Sequence, residues 1–213
     1  MKKQHTLFII FIIGIALAVG IWRENKVNTA TNPAQTSVPL SAGTSLARGH
    51  KLPEFSLIDM NGKAFTRSSF DARWSFIFFG YSSCPDLCPT TLQAMQQISQ
   101  RLRNNPVLQF VFITIDPDND TQQRLKEYLQ QDKFRTTPFV GVTGKKTDIA
   151  ALTQAIGIHM AQEKAPEADH IEHSGSIILI NPQGELAAIF SGSDRPHAIA
   201  HDFKELLHRY ATA

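Results

Sequence analysis

Residues Trp74 to Leu92 read WSFIFFGYSSCPDLCPTTL. The first eight form an unbroken apolar run with the length and aromatic content of a strand buried on both faces. Ser82, Ser83, Pro85, Asp86 and Pro89 then make a polar turn that carries both cysteines of the chain, Cys84 and Cys88. Leu92, Met95, Ile98 and Leu102 follow at helical spacing. Strand, turn and helix in that order put two sulfurs at the carboxyl end of a central strand, where open α/β sheets place their sites.

The flanking sequence extends this unit. Before it, FSLIDMNGKAFT holds two short alternating runs around Asn61-Gly62, a hairpin signal. After it, LQFVFITI is a second buried strand. Asp120 with Gln123 resembles a capping box, and Leu125, Tyr128 and Leu129 then share one helical face. TPFVGVTG is a third strand, and Ile149, Leu152 and Ile156 form a short helix stopped by Gly157. SIILI and ELAAIF flank an Asn181-Pro182-Gln183-Gly184 turn, and Pro196 opens a last amphipathic helix. Strands separated by helices imply an α/β fold, a central mixed sheet flanked by helices with an N-terminal hairpin. The order of elements resembles a thioredoxin-like fold.

The 213 residues and 42% hydrophobic content suffice for one domain with its own core. A formal net charge of +2 argues against nucleic acid as a partner. Two cysteines are too few for a disulfide scaffold. Lys2 and Lys3 precede an apolar run, Leu7 to Trp22, at the border between a signal-peptide core and a membrane span. Ala16-Leu17-Ala18 resembles a cleavage site, but apolar residues continue beyond it to an interfacial Trp22. We expect an uncleaved anchor (or signal) over residues 1–23. A flexible linker rich in Asn, Thr, Ser, Pro and Gln follows over 24–48, and the folded domain over 49–213. The lysine start lacks the Arg- and Ser-rich pattern of an organelle transit peptide. We therefore expect a bacterial inner membrane protein, single-pass, with its domain in the periplasm.

The cysteine pair admits several chemistries. Pro89 disfavours helical backbone at Cys88, so the helix is expected to start at Pro89, or else at Pro85 with some strain. Either way both sulfurs meet unpaired N–H groups at a helix N-terminus, which favour a thiolate. Three intervening residues still allow a disulfide and let both sulfurs converge on one ion. Two thiolates select Cu(I), or zinc if imidazoles complete the set. The stretch EADHIEHSGSIILI offers His170 and His173, with His173 better placed beside its strand. Cys84, Cys88, His170 and His173 could close a zinc set. Ser174 stands where thioredoxins carry a cis-proline over their disulfide, which leaves the sulfurs open to an ion or a partner. The peroxidase pattern P-x-x-x-T-x-x-C fails for both cysteines, because Ile77, Tyr81 and Pro85 occupy the required places. His197, His201 and His208 receive no role.

Three stretches, FGYSSCPDLCPTTL, FITIDPDNDTQQRLKEYL and HSGSIILINPQGELAAIF, together resemble the SCO/SenC family of membrane-tethered copper proteins. The resemblance runs from about Leu52 to Tyr210. It implies one copper, as Cu(I) or Cu(II), held by Cys84, Cys88 and His173. It implies delivery to the copper-accepting subunit of cytochrome c oxidase, or reduction of that site's thiols through a Cys84/Cys88 disulfide. Other copper chaperones or thiol reductases are the further partners it implies. The family's acidic motif falls on Asp116, Pro117 and Asp120, for which copper transfer and plain helix capping both stand open. HIEH adds His170 as a rival ligand. The alternative function is a thiol–disulfide oxidoreductase with no metal-delivery role.

Overall fold

The computed structural model describes residues 37–103, 107–158, 161–162, 171–172, 175–191 and 195–211. The apolar run Leu7 to Trp22, residues 24–36 of the linker, His170, His173 and Ser174 lie outside them. Among the described residues no helix is long and apolar enough to cross a membrane.

Trp74–Gly80 forms a strand whose seven residues are all buried, as an apolar run covered on both faces requires. In chain order the strands are β1 (Ser37–Pro39), β2 (Gly43–Lys51), β3 (Ser56–Asp59), β4 (Ala64–Thr66), β5 (Trp74–Gly80), β6 (Leu108–Thr114), β7 (Phe139–Gly144), β8 (Ala161–Gln162), β9 (Ile171–Glu172), β10 (Ile177–Ile180) and β11 (Glu185–Phe190). The helices are α1 (Leu87–Arg101), α2 (Gln122–Leu129), α3 (Lys146–Ile156) and α4 (Pro196–Ala211). The main sheet runs β1-β2-β11-β10-β5-β6-β7-β3-β4. β5, β6 and β7 are parallel, joined through α1 and α2, and the other pairs are antiparallel. This is the expected mixed α/β sheet with flanking helices. The Asn61-Gly62 hairpin is β3 with β4, and Gly62 takes the positive φ, 84°, that its turn needs.

Aromatic side chains on one face of the parallel strands hold the helices. Phe76 stacks on Phe110 with ring centroids 5.3 Å apart, and Phe203 of α4 lies 5.2 Å from Phe76 and 5.5 Å from Trp74. The predicted α1 stripe, Leu92, Met95, Ile98 and Leu102, is buried throughout.

Two expectations change. Residues 37–48 are not part of a linker: β2 pairs with β11 from Gly43 to Lys51, and β1 folds back on β2. Buried Asp202 of α4 fixes the connection, accepting Ser41 Oγ–H at 2.6 Å and the Ala42 N–H at 2.8 Å. This segment is held by backbone pairing and one carboxylate, so its composition shows no apolar alternation to read. The capping box also fails. Thr121, not Asp120, is the N-cap of α2, its side chain accepting the Arg124 N–H, because Asp120 is engaged elsewhere.

Candidate functional site

The cysteine turn hangs from the end of β5. The Cys84 N–H donates to the Tyr81 carbonyl at 3.2 Å, and α1 begins at Leu87 after an Asp86 cap. The helix start therefore falls between the two expected positions. Cys88 and Pro89 sit inside the first turn of α1, where a proline sacrifices no intrahelical hydrogen bond. That one turn brings the cysteines together: the Cys88 N–H points at Cys84 Sγ, 3.4 Å away. Neither cysteine is linked in a disulfide. Cys84 keeps 8% of its surface exposed and Cys88 none. Burial pushes the Cys88 thiol well above its ordinary value of 9.0, against a smaller opposing effect from a backbone hydrogen bond at Tyr81.

Gly80 makes room for the inner sulfur. A Cβ built there would stand 2.7 Å from Cys88 Sγ, 2.9 Å from Phe78 Cε1 and 3.0 Å from Phe112 Cε2. Only glycine lets the sulfur settle against the strand end.

A second loop braces the turn. Asp120 is 1% exposed. Its carboxylate accepts the Ser82 N–H at 2.9 Å, the Ser82 hydroxyl, and the Thr114 hydroxyl at 2.6 Å. Arg124 donates from Nε to Ser82 Oγ at 2.9 Å and lies 3.8 Å from the same carboxylate. A buried carboxylate with three donors is a strong, directional tie. It fixes Ser82, two residues before Cys84, to the end of β6. Asp116 is half-exposed and accepts the Asn119 side-chain amide at 2.9 Å.

The segment that carries the candidate histidine returns to the same edge. β10 runs antiparallel to β5, with Ile178 opposite Ile77, so it enters the sheet where β5 leaves. Gly175 sits against α1: its Cβ would lie 3.1 Å from Leu87 Cδ1 and 3.6 Å from Thr91 Oγ1. His173 falls between Glu172 of β9 and Gly175, outside the described residues. β8 and β9 pair antiparallel just before it, an element the sequence reading did not foresee. Among the described residues no three His, Cys, Asp or Glu side chains converge as a metal centre. The structure thus brings Cys84 and Cys88 together and leaves the histidine ligand open. His201 and His208 are exposed on α4, and His197 contacts Arg101 at 2.5 Å, so none of the three is drawn to the sulfurs.

The SCO1/SenC family model matches residues 44–208. The chain belongs to this family. The SCO2-like protein of Rickettsia felis is 31% identical over 210 residues, 96% of this chain and 99% of its own length. The structure of Bradyrhizobium japonicum ScoI with copper bound superposes with a TM-score of 0.63 at 29% identity, covering 73% of this chain and 98% of that one. Yeast Sco1 with copper bound gives 0.65 at 27% identity, covering 75% of this chain and 89% of that one. The thioredoxin-like arrangement is therefore shared with this family. What sequence reasoning missed is the support: Ser82, Thr114 and Arg124 around Asp120. The Ser82 bonds to Asp120 and Arg124 link residues 38 and 42 positions apart, which no local pattern signals, whereas the Asp120–Arg124 pair is only four apart.

Proposed function

We propose that this SCO/SenC protein carries copper and delivers it to the copper-accepting subunit of cytochrome c oxidase. One observation carries the reading: the two unlinked cysteines meet where the turn after β5 enters α1, at the sheet edge where Gly175, ahead of β10, packs on Leu87. The donor set fits the cargo. Two soft sulfurs and one imidazole, from Cys84, Cys88 and His173, suit Cu(I) in a low-coordinate site that an acceptor's thiolates can strip stepwise. The space that Gly80 leaves lets Cys88 Sγ sit buried against the end of β5, one turn from Cys84. In the same reading residues 1–23 anchor the chain in a bacterial inner membrane and residues 24–36 tether the domain on the periplasmic side. Other copper chaperones or thiol reductases load and reduce the site.

The test loads the reduced full chain with Cu(I) and reads the neighbours by X-ray absorption. One copper per chain is expected, with sulfur and nitrogen ligands. Sulfur coordination fails in Cys84→Ser, and the nitrogen signal falls in His173→Ala. A wild-type chain that binds no more copper than the double variant refutes the reading.

A second reading, a thiol–disulfide oxidoreductase, draws on the 3.4 Å approach of the Cys88 N–H to Cys84 Sγ, which puts the sulfurs one turn apart. It predicts a Cys84/Cys88 redox couple that works unchanged in His173→Ala.

A further inference from the structure

The two ends of the parallel strands differ in charge. At the cysteine end, the turns leaving β5 and β6 hold Asp86, Asp116, Asp118 and Asp120 and neither lysine nor arginine. Arg124, in the first turn of α2, is tied to Ser82 and Asp120. At the other end, Arg73 precedes β5 and Arg103 follows α1. The last turns of α1 and α4 add Arg101, His208 and Arg209. Asp71 is the one acid in these same stretches, residues 71–73, 101–103 and 208–211. Arg73 and Arg103 line one open cleft, with Ser99 and Leu108. Among the described residues neither arginine forms an ion pair.

Two exposed apolar side chains join them. Among the described residues three large ones are exposed: Val107 at 42%, Tyr210 at 38%, and Leu87 by the cysteines. Val107 and Tyr210 both meet Trp74, the residue after Arg73. The Trp74 N–H donates to the Val107 carbonyl at 2.8 Å, and the Tyr210 ring stands edge-on to the indole at 4.8 Å. Singly exposed apolar residues are ordinary. Two of them beside arginines without a counter-ion suit a surface that is anionic and apolar at once. A free anion would suit the arginines alone. A bilayer of acidic phospholipids suits both, with phosphates for the arginines and an interfacial layer that favours tyrosine. The strand directions agree. Four antiparallel pairings separate β1 from β5, so the two run the same way, and the chain enters β1 at Ser37 from this basic end.

We propose that this end of the domain rests on an anionic bilayer surface, with Arg73 and Arg103 on headgroup phosphates and Val107 and Tyr210 in the interfacial layer. The cysteine turn, at the far end of β5, then faces away from the bilayer, and its aspartates are repelled by it. This inference rests on the anchored-chain reading above, which keeps the domain near a membrane.

The full chain in lipid nanodiscs with a headgroup nitroxide tests it, read by broadening of backbone amide resonances. In discs containing phosphatidylglycerol, Val107, Leu108 and Tyr210 should broaden, while Ser82, Cys84 and Leu87 should not. Pure phosphatidylcholine should abolish the difference, as should ~1 M salt, where screening acts within about 3 Å. Arg73→Gln and Arg103→Gln should each lower the docked-to-free ratio about fivefold, the usual worth of one basic side chain at an anionic surface. Arg73→Lys, which keeps the charge, should dock as wild type does. Equal broadening of the two ends in phosphatidylglycerol overturns the proposal. So does a difference that persists in phosphatidylcholine or in the double Gln variant. A difference seen only with two chains per disc would put a second copy on the patch and overturn it as well. If the chain enters the discs and its ends broaden equally, only this inference falls. If the chain stays out of the discs, the anchor reading falls and takes this one with it.

Discussion

Gly80→Ala is the sharpest test of how the site is built. The added methyl would lie 2.7 Å from Cys88 Sγ, 2.9 Å from Phe78 Cε1 and 3.0 Å from Phe112 Cε2. Each contact falls well inside the ~3.5–4.0 Å optimum for non-bonded heavy atoms. All three neighbours are fully buried, so none can swing into solvent. Gly80 is not among the glycines with positive φ, so the backbone itself accepts alanine. What remains is overpacking, about 1–3 kcal/mol, offset by ~0.4–1 kcal/mol from the stiffer unfolded chain. At roughly 2–4 °C per kcal/mol for a chain of this size, Tm should fall by several degrees. Gly144→Ala is the comparator: its methyl would meet Leu57 Cδ2 at 2.6 Å, a clash between β7 and β3. Both variants should lower the Tm of the reduced chain, followed by circular dichroism. Only Gly80→Ala should also speed alkylation of Cys88, read by peptide mass spectrometry. A Gly80→Ala protein with wild-type Tm and wild-type Cys88 labelling would refute the packing described here.

Three further outcomes follow from the same geometry. Asp120→Asn turns an acceptor into a donor facing the Ser82 and Thr114 donors, and should cost about 2–4 kcal/mol; faster amide exchange at Ser82, along with a lower Tm, checks it. In the reduced metal-free chain iodoacetamide should modify Cys84 ahead of Cys88, since Cys84 retains 8% exposure and burial holds the Cys88 proton in place; equal rates would contradict the helix-turn geometry. Asp202→Ala should free the β1–β2 connection from α4 and open residues 37–51 to limited proteolysis, whereas a segment that was mere tether would be cut equally fast in wild type.

Much of the fold was legible because its signals are local. The seven-residue apolar run of β5 announces a strand with both faces covered, and Gly157 ends α3 in the left-handed conformation, φ 79°, that its position predicts. The cysteine pair was legible for the same reason, since a spacing of four places both sulfurs on one turn wherever the helix starts. Two classes of feature were not. β2 and the β1–β2 connection owe their place to partners more than a hundred residues away in β11 and α4, and few of their own side chains are large and apolar. Asp120 read as a helix cap because an acidic residue before a helix usually is one. Its true partners, Ser82 and Thr114, converge only after β5 and β6 have paired.

That difference has a consequence for the site. The residues proposed to bear the chemistry, Cys84 and Cys88, are set by a short-range turn and would adopt much the same spacing in many contexts. The residues that hold the turn at one height over the sheet do so across the β5–β6 pair: Gly80 by lacking a side chain, Asp120 by accepting from Ser82. On the proposed copper reading, gripping a metal ion and then releasing it requires sulfurs fixed relative to the returning β10 segment, not merely near each other. The Asp120–Ser82 tie and the Gly175–Leu87 contact grip the turn from opposite sides, through β6 and through β10. Loosening either should leave disulfide formation between Cys84 and Cys88 largely intact while weakening metal retention. Asp120→Asn should therefore separate the two chemistries: copper affinity falls, and the rate of Cys84–Cys88 oxidation holds. Equal loss of both would mean that the tie builds the turn itself rather than its position.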